Sequence, residues 1–412
     1  MRMLISFAAL FLSVILLQLS TGGVGPLDAI SGLALSFSTA EIGLLGSAHF
    51  FGFFIGCWWA PRLMGSVGHS RAFAAFTSAG AIGLLAHMLW IDAYAWAVMR
   101  IASGMCVAGC YTVIEAWLHA KVTNKTRGRA MGAYRVADMG ASLAAQMLIS
   151  VLEPASYVSY NLLAIVCCAS LLPLTLTKAS QPETPAAPRL RPMLLLECSP
   201  LAAAGVLVAA LSSASFRMVG PIYGQQVGLQ VEQIAWFLAV FVLGGALAQY
   251  PVGWLADRFN RRHVLIGLSF AAVISCAFGA YSDQLGPSGI MIAAFFFGLT
   301  SFPIFSISAA HANDFADNSQ RVELSAALMF FYALGAIAAP LLASKLIDAY
   351  GPSAMFVMIS VGHLLLVFFS IVRMKARKTR DDRTPYIWSP RTSFTLGRLT
   401  SRLRDKHNDQ AP

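Results

Sequence analysis

Long uncharged, apolar runs alternate along this chain with short segments that carry most of its charges. A run of about 20 apolar residues is long enough to cross the hydrocarbon core of a bilayer as a helix. The pattern therefore predicts twelve transmembrane helices, near residues 3–19, 40–61, 72–90, 94–118, 129–151, 157–177, 199–220, 232–255, 263–282, 288–310, 322–347 and 352–373. The first run also resembles a signal peptide. Gln18 to Gly22 is a poor cleavage site, however, so we interpret this run as the first span.

The composition supports a membrane protein. Hydrophobic residues make up 57% and charged residues 12% of the chain, whereas a soluble domain has about 45–50% and about 25%. The 7 Cys residues form no Cys-x-x-Cys pair, so we expect no metal site and no disulfide framework. A phosphate-binding Gly-Lys-Ser/Thr loop is also absent from the sequence, which argues against pumping driven by ATP in this chain.

The basic residues predict the orientation. The chain has 29 Lys and Arg residues and a net charge of +10. All of them fall on one side of the predicted spans, except Arg100, Arg135, Arg217 and Lys345, which lie within spans. By the positive-inside rule, both termini are cytoplasmic in a multi-pass protein of the bacterial inner membrane. The same rule attributes the net charge to loops beside the lipid bilayer. We therefore expect no nucleic-acid partner.

Two similar halves are expected on either side of a proline-rich segment. We predict a first six-helix half (1–177), a cytoplasmic linker (178–198), a second six-helix half (199–373) and a basic cytoplasmic tail (374–412). Ile42 and Ile234 open corresponding spans, and Arg62 and Arg258 close them, although the first of these segments is four residues shorter. Parallel six-helix repeats are found in many secondary transporters.

Three motifs carry a family resemblance. The stretch Gly253-Trp254-Leu255-Ala256-Asp257-Arg258-Phe259-Asn260-Arg261-Arg262 joins two apolar runs, and its glycine would allow close helix approach. Gln249 to Gly253 precedes it, Arg100 to Gly104 opens the fourth span, and Pro303 and Ala310 to Asp314 mark the tenth. This set resembles the major facilitator superfamily, in particular its YcaD-like branch.

The resemblance implies an all-α membrane protein with the major facilitator fold, made of two pseudo-symmetric halves. It further implies a secondary transporter that moves a small solute by alternating access, coupled to protons, as a functional monomer without cofactors or catalytic residues. Its gating residues would be Asp257, Arg258, Arg261, Arg262 and Arg62. In the first half, Pro61 stands where the motif has Asp. The fifth span also lacks the Gly-Pro pattern of drug antiporters, which argues against drug export.

Charges inside the predicted spans are candidates for function, because a lone charge in hydrocarbon is costly. Glu115 lies in the fourth span, and Arg135 and Asp138 lie three residues apart in the fifth. Glu115 can pair with Arg62, Arg71 or Arg135 as a gate, exchange a transported proton, or form a static pair. For Arg100, proton coupling and anchoring near the outer boundary both stay open.

The resemblance also implies residues of a central cavity. Arg217 in the seventh span would meet an anionic group of the substrate, or would instead extend to the outer membrane surface as a lipid-facing anchor. The other residues expected to line the cavity are Tyr111, Phe216, Tyr223, Phe302 and His311.

Two other functions compete with transport. One is a sensor or channel without transport. The other is a membrane enzyme, because His87 and Asp92 match the His-x4-Asp pattern of membrane acyltransferases. No partner motif accompanies that pattern, so we expect no enzyme. The identity of the solute and the direction of its transport do not follow from the sequence.

Overall fold

The computed structural model describes residues 2–122, 127–176, 189–376 and 386. Every regular element within these ranges is helical. The first compact unit contains α1 (Arg2–Ala34), α2 (Thr39–Val67), α3 (His69–His87), α4 (Ala93–Lys121), α5 (Arg127–Leu148), α6 (Tyr157–Ala169) and α7 (Leu171–Thr175). The second contains α8 (Pro192–Cys198), α9 (Pro200–Gln226), α10 (Val231–Arg258), α11 (Arg261–Tyr281), α12 (Gly286–Ser301), α13 (Pro303–Asn313), α14 (Arg321–Tyr350) and α15 (Ala354–Ala376). We call these units the N-terminal half and the C-terminal half.

The helices have the length and composition of membrane spans. Among the described residues, 9 stretches are long and apolar enough to cross a bilayer, and one of these covers α11 to α13 together. Helices α3 and α5 fall outside the 9. In α5 the reason is composition, because Arg129, Arg135 and Asp138 lower its hydropathy. The predicted all-α membrane fold is confirmed, and the count of twelve spans stays a prediction.

Several predicted boundaries are wrong. Helix α1 does not end near Leu19 but continues to Ala34, with Pro26 and Asp28 inside it. Pro61 and Arg62 do not close α2, which extends to Val67. The tenth span is interrupted at Phe302, where α12 ends and α13 begins with Pro303.

The predicted linker is partly helical, because Pro192–Cys198 forms α8. Proline at the first position of a helix lacks only an N–H that would have no partner there. The rest of the linker up to residue 188 lies outside the described residues. So does the predicted tail from residue 377 onward, apart from Tyr386.

Glycines set the closest helix crossings in both halves. A Cβ added to Gly52 of α2 would lie 2.0 Å from the carbonyl oxygen of Ile101 in α4. The C-terminal half repeats this crossing, because a Cβ on Gly244 of α10 would lie 2.2 Å from the carbonyl oxygen of Phe295 in α12. The two helix pairs therefore have the same small-residue contacts.

The starts of α2 and α10 also match. Ser38 and Glu41 form a capping box at the start of α2, and Gln230 and Gln233 form one at the start of α10. Such boxes satisfy backbone N–H groups that have no partner within the helix. The caps and the crossing glycines occur at the same spacing in both halves, so the sequence repeat corresponds to a structural one.

Candidate functional site

Four helices of the N-terminal half meet at a buried ionic group. Asp28 of α1, His87 of α3, Arg100 of α4 and Tyr160 of α6 are each no more than 2% exposed. We call these four residues the Asp28 cluster. Arg100 Nε lies 3.4 Å and His87 Nε2 lies 3.6 Å from Asp28 Oδ2. The Tyr160 hydroxyl donates to Asp28 Oδ1 at 2.8 Å. The structure therefore directs Arg100 to a carboxylate inside the half and not to a surface anchor.

The tautomer of His87 follows from its other contact. His87 Nδ1 lies 2.6 Å from the carbonyl oxygen of Gly83. A carbonyl can only accept, so Nδ1 carries a proton. Nε2 then faces Asp28 Oδ2, and neither atom has a hydrogen-bond partner among the described residues. A buried imidazole nitrogen and a buried carboxylate oxygen therefore lie 3.6 Å apart, with Arg100 next to the same oxygen.

Aromatic rings enclose the contact between His87 and Asp28. His87 stacks on the ring of Tyr160 with a centroid distance of 5.0 Å, and Trp96 lies 4.9 Å from His87. The Trp96 indole donates to the backbone oxygen of His87 at 2.8 Å. His49 lies near Arg100 on the α2 side, with Nδ1 3.4 Å from the Ser103 hydroxyl. Such apolar walls strengthen every charge interaction inside them.

A second buried group lies about 22 Å further along α4, taking 1.5 Å per residue from Arg100 to Glu115. We call Tyr111, Glu115, Tyr134, Arg135 and Asp138 the Glu115 cluster. Arg135 lies 4.0 Å from Glu115 Oε1 and 3.7 Å from Asp138 Oδ2. The Tyr134 hydroxyl donates to Glu115 at 3.2 Å. Of the three predicted partners of Glu115, the structure brings Arg135 to it.

Tyr111 connects the Glu115 cluster to α1. Its hydroxyl lies 2.7 Å from Gln18 Oε1 and 2.5 Å from Asp138 Oδ1. One hydroxyl has one proton, and the carboxylate is the stronger acceptor. The hydroxyl proton is therefore shared between two acceptors, Asp138 Oδ1 and Gln18 Oε1. Tyr111 thus has a structural role within this half, whatever its predicted role in the cavity.

Arg261 joins two of the sequence motifs in the C-terminal half. Its side chain is buried, and Nη1 donates to Asp314 Oδ1 at 2.6 Å and to the carbonyl oxygen of Ala310 at 2.8 Å. The stretch Ala310 to Asp314 thus holds the buried guanidinium at the start of α11. This explains why the C-terminal end of α13 carries an aspartate.

Asp257 lies at the exposed end of α10. Its side chain is 51% exposed, and Oδ1 lies 3.7 Å from Arg261 Nη2. The same oxygen accepts the backbone N–H of Tyr386 at 2.6 Å. The gating role of Asp257 stays a prediction.

Arg258 and Arg62 have matching surroundings. Arg258 lies over the ring of Trp254, with its guanidinium carbon 5.2 Å from the centroid, and Arg62 lies over Trp58 at 4.2 Å. Each pair is four residues apart on a helix surface. A guanidinium over an indole contributes about 0.5–1 kcal/mol at an exposed site. Both Arg residues therefore have a local reason for their position.

The predicted cavity residues of the C-terminal half fall into two groups. Phe216 and Tyr223 lie in its packed interior. The ring of Phe216 stacks on Phe241 at 4.1 Å, and the Tyr223 hydroxyl donates to the carbonyl oxygen of Gly279 at 3.1 Å. This packing accounts for their burial.

Phe302 and His311 lie at a helix break and near a helix end, and Arg217 of α9 contacts the first of them. Arg217 is partly buried and lies over the ring of Phe302 at 5.8 Å, where α12 gives way to α13. His311 packs edge-on against Phe315 at 5.2 Å. Together with Arg262 it lines a small cavity at the start of α9.

Asp28 and Tyr160 are site residues that the sequence reasoning missed, and it named His87 only in the acyltransferase-like pattern. The first span was predicted to end near Leu19, before Asp28. A signal was nevertheless present, because Asp28 is the only charged residue between Arg2 and Glu41. The acyltransferase-like pattern is not assembled, since His87 turns to Asp28 while Asp92 caps α4 by accepting the N–H of Ala95 at 2.9 Å.

Ionisable groups buried between the helices of a membrane protein are typical of transporters. Comparisons with known proteins point to the same class of protein. The family model of the Major Facilitator Superfamily matches residues 201–406. The chain belongs to this superfamily, which confirms the predicted resemblance. It is 26% identical over 349 residues to an uncharacterized MFS-type transporter of Enterobacter sp. (strain 638) and 25% identical over 349 residues to the uncharacterized MFS-type transporter YcaD of Escherichia fergusonii. Each match covers 84% of this chain and 89% of the relative.

Solved structures show the same fold. The nucleoside transporter NupG superposes with a TM-score of 0.74 at 16% identity, over 90% of this chain and 98% of NupG. A D-xylose-proton symporter superposes with a TM-score of 0.65 at 13% identity, over 88% of this chain and 96% of the symporter. These likenesses show that the chain has the same fold as both structures.

Proposed function

We propose that this protein is a secondary active transporter that moves a small solute across the bacterial inner membrane by alternating access, driven by a proton that binds at the Asp28 cluster. The observation that carries the proposal is the contact of His87 with Asp28, two ionisable side chains that are buried beside Arg100. The cluster lies between four helices of one half and is closed off by aromatic rings. It is built from the residue types that form intramembrane proton relays.

Arg100 gives the site two stable forms. When Asp28 is ionised, the guanidinium at 3.4 Å balances its charge. When the proton binds, the Asp28–His87 pair becomes less negative and its attraction to Arg100 weakens. Because a ligand shifts a conformational equilibrium only through different affinities for the two states, this change can couple proton binding to movement of α4 against α1.

The Glu115 cluster is the proposed second ionic lock of the same half. Arg135 has two carboxylates within 4.0 Å, so it can keep one partner while it loses the other. Asp257 and Arg261 are the proposed gate of the C-terminal half. We further propose that both termini are cytoplasmic, as the distribution of Lys and Arg predicts.

Uptake by purified protein in proteoliposomes tests the proposal. The solute panel should begin with nucleosides, pentoses and small peptides, because structural relatives transport the first two and peptides represent a third class. Each solute should be measured with an imposed pH gradient, without one, and with the gradient collapsed by an ionophore. We expect one solute class to accumulate only with the gradient. Binding of a solute without any movement across the membrane would contradict transport and favour a sensor.

A further inference from the structure

One residue of the C-terminal tail occupies a defined position on α10. Tyr386 lies against Gln249, Gly253 and Asp257, which are spaced four residues apart and so form one stripe along the helix. The backbone N–H of Tyr386 donates to Asp257 Oδ1 at 2.6 Å. Its hydroxyl donates to Gln249 Oε1 at 3.1 Å. Both ends of the residue are therefore held by the same helix face.

The contacts extend to two neighbouring helices. Ser306 on α13 acts on the Tyr386 side chain and lowers its pKa, although burial has the larger effect. Arg261 at the start of α11 is paired with the same oxygen of Asp257 that accepts the Tyr386 N–H. Burial raises the pKa of Tyr386 to about 12, and the Asp257 carboxylate acts in the same direction. The phenol is therefore a hydrogen-bond donor at neutral pH.

Gly253 is the position that makes room for the ring. A Cβ added there would lie 2.8 Å from Tyr386 Cδ1 and 2.9 Å from Cε1, and all three of its nearest atoms belong to Tyr386. The glycine of the loop motif therefore faces a tyrosine here. The expectation that it allows close helix approach stays a prediction.

We propose that the Gln249–Gly253–Asp257 stripe is a docking slot for the chain's own C-terminal segment, and that docked Tyr386 acts as a latch on the gating carboxylate Asp257. Docking uses a backbone N–H, a ring and a hydroxyl together, so it recognises a tyrosine in one orientation. The latch, but not the slot, rests on the proposed function. If Asp257 changes partners during the transport cycle, the bond to Tyr386 must break each time, so the docked tail slows transport.

Hydrogen exchange at the 386 amide tests the slot directly, because that N–H is one of the docking bonds. Gly253→Ala places a methyl group against the ring, while Gly267→Ala is a matched control on α11, where an added Cβ meets nothing within 4 Å. Both changes raise helix propensity, so neither should harm folding. We expect exchange at the 386 amide to become about tenfold faster in Gly253→Ala, the factor for loss of one charge-assisted hydrogen bond, and to stay unchanged in Gly267→Ala.

Tyr386→Ala provides a second variant, since it alters the tail and leaves α10 intact. The 386 amide should again exchange faster than in the parent. Equal exchange in the parent, Gly253→Ala and Tyr386→Ala would overturn the slot.

Transport measurements decide the latch. With a solute found in the proteoliposome screen, Gly253→Ala and Tyr386→Ala should each raise the initial rate at least about twofold, as expected when release of a closing segment limits turnover. Gly267→Ala should leave the rate unchanged. Faster exchange with unaltered transport would overturn the latch. If the parent moves no solute, the proposed function fails, and the exchange results still decide the slot.

Discussion

Asp28 shows how one side chain can be buried as an ion in a membrane half. It is 1% exposed, yet it has Arg100, His87 and Tyr160 around its two oxygens. Removing one partner of a buried pair costs several kcal/mol, because it leaves a charge without compensation. Substitutions that keep size and hydrogen bonding are therefore the informative ones at this site.

His87→Gln tests the shared proton. Proton binding by the Asp28–His87 pair has two positions, on the imidazole and on the carboxylate. Glutamine removes the first and can donate permanently to Asp28, which stabilises the ionised carboxylate. Both effects lower the affinity for the proton. We expect accumulation driven by a pH gradient to fall, while exchange of labelled for unlabelled solute continues. Accumulation at the parental level would exclude His87 from proton coupling.

Glu115→Gln distinguishes the interpretations that the sequence left open. If the Glu115 cluster is a lock, the variant should reduce gradient-driven accumulation and solute exchange together. If Glu115 carries the coupling proton, only accumulation should be lost. We expect the first result. Glu232→Gln, an exposed change in the first turn of α10, is the control. Normal behaviour in both assays would leave Glu115 as a static partner of Arg135.

At the scale of helices, the crossing points are the most constrained parts of the fold. A Cβ on Gly104 of α4 would lie 2.0 Å from the carbonyl oxygen of His49 in α2. Backbone atoms cannot move away as a flexible side chain can, so the helices must separate. The same reasoning applies to Gly298 of α12, where the carbonyl oxygen of Phe241 is 2.0 Å away.

Gly104→Ala should therefore destabilise the protein although it improves helix propensity. We expect the melting temperature in detergent to fall by several degrees, since overpacking costs about 1–3 kcal/mol. Gly140→Ala of α5 is the matched control, because an added Cβ there meets nothing within 4 Å, and it should be neutral or stabilising by up to about 1 kcal/mol. Equal melting temperatures for the two variants would show that α2 and α4 can move apart without cost.

The limits of prediction from sequence also appear at this scale. Apolar runs located most helices, because a membrane span needs a fixed length of apolar residues. They failed where a helix contains a charge that tertiary contacts satisfy, as at Asp28 in α1, or a break within apolar sequence, as at Phe302. Charges within predicted spans identified Glu115, Arg135, Asp138 and Arg100. The other members of the Asp28 cluster come from three other helices, so no local pattern could have connected them with Arg100.

For the whole molecule, the two halves share a backbone plan and differ in chemistry. By the repeat spacing, Gly220 is the residue of the C-terminal half that corresponds to Asp28. Aromatic side chains occupy the interior of the C-terminal half. The largest of these buried side chains include Phe216, Phe237, Phe241, Phe297 and Phe356. The ionic clusters of the N-terminal half lie between its helices, whereas the buried Arg261–Asp314 pair of the C-terminal half lies at the start of α11 and just after α13. We therefore propose that the proton site lies in the N-terminal half.

The predicted topology can be checked with reporter fusions. A reporter placed after Arg380 should be active only if it works in the cytoplasm. A reporter inserted in the Gly351–Ser353 turn between α14 and α15 should be active only if it works on the opposite side of the membrane. These outcomes follow from the absence of Lys and Arg in the loops of one side. The same activity pattern at both positions would contradict the predicted twelve spans.

Proton coupling through Asp28 is tested most directly by comparing two transport modes in Asp28→Asn. The variant keeps the size of the side chain and removes the proton-binding carboxylate. We expect accumulation driven by a pH gradient to be lost, while exchange of labelled for unlabelled solute continues. Asp92→Asn is the control, because asparagine caps a helix about as well as aspartate does, and it should behave as the parent. Gradient-driven accumulation at the parental level in Asp28→Asn would contradict coupling at this site.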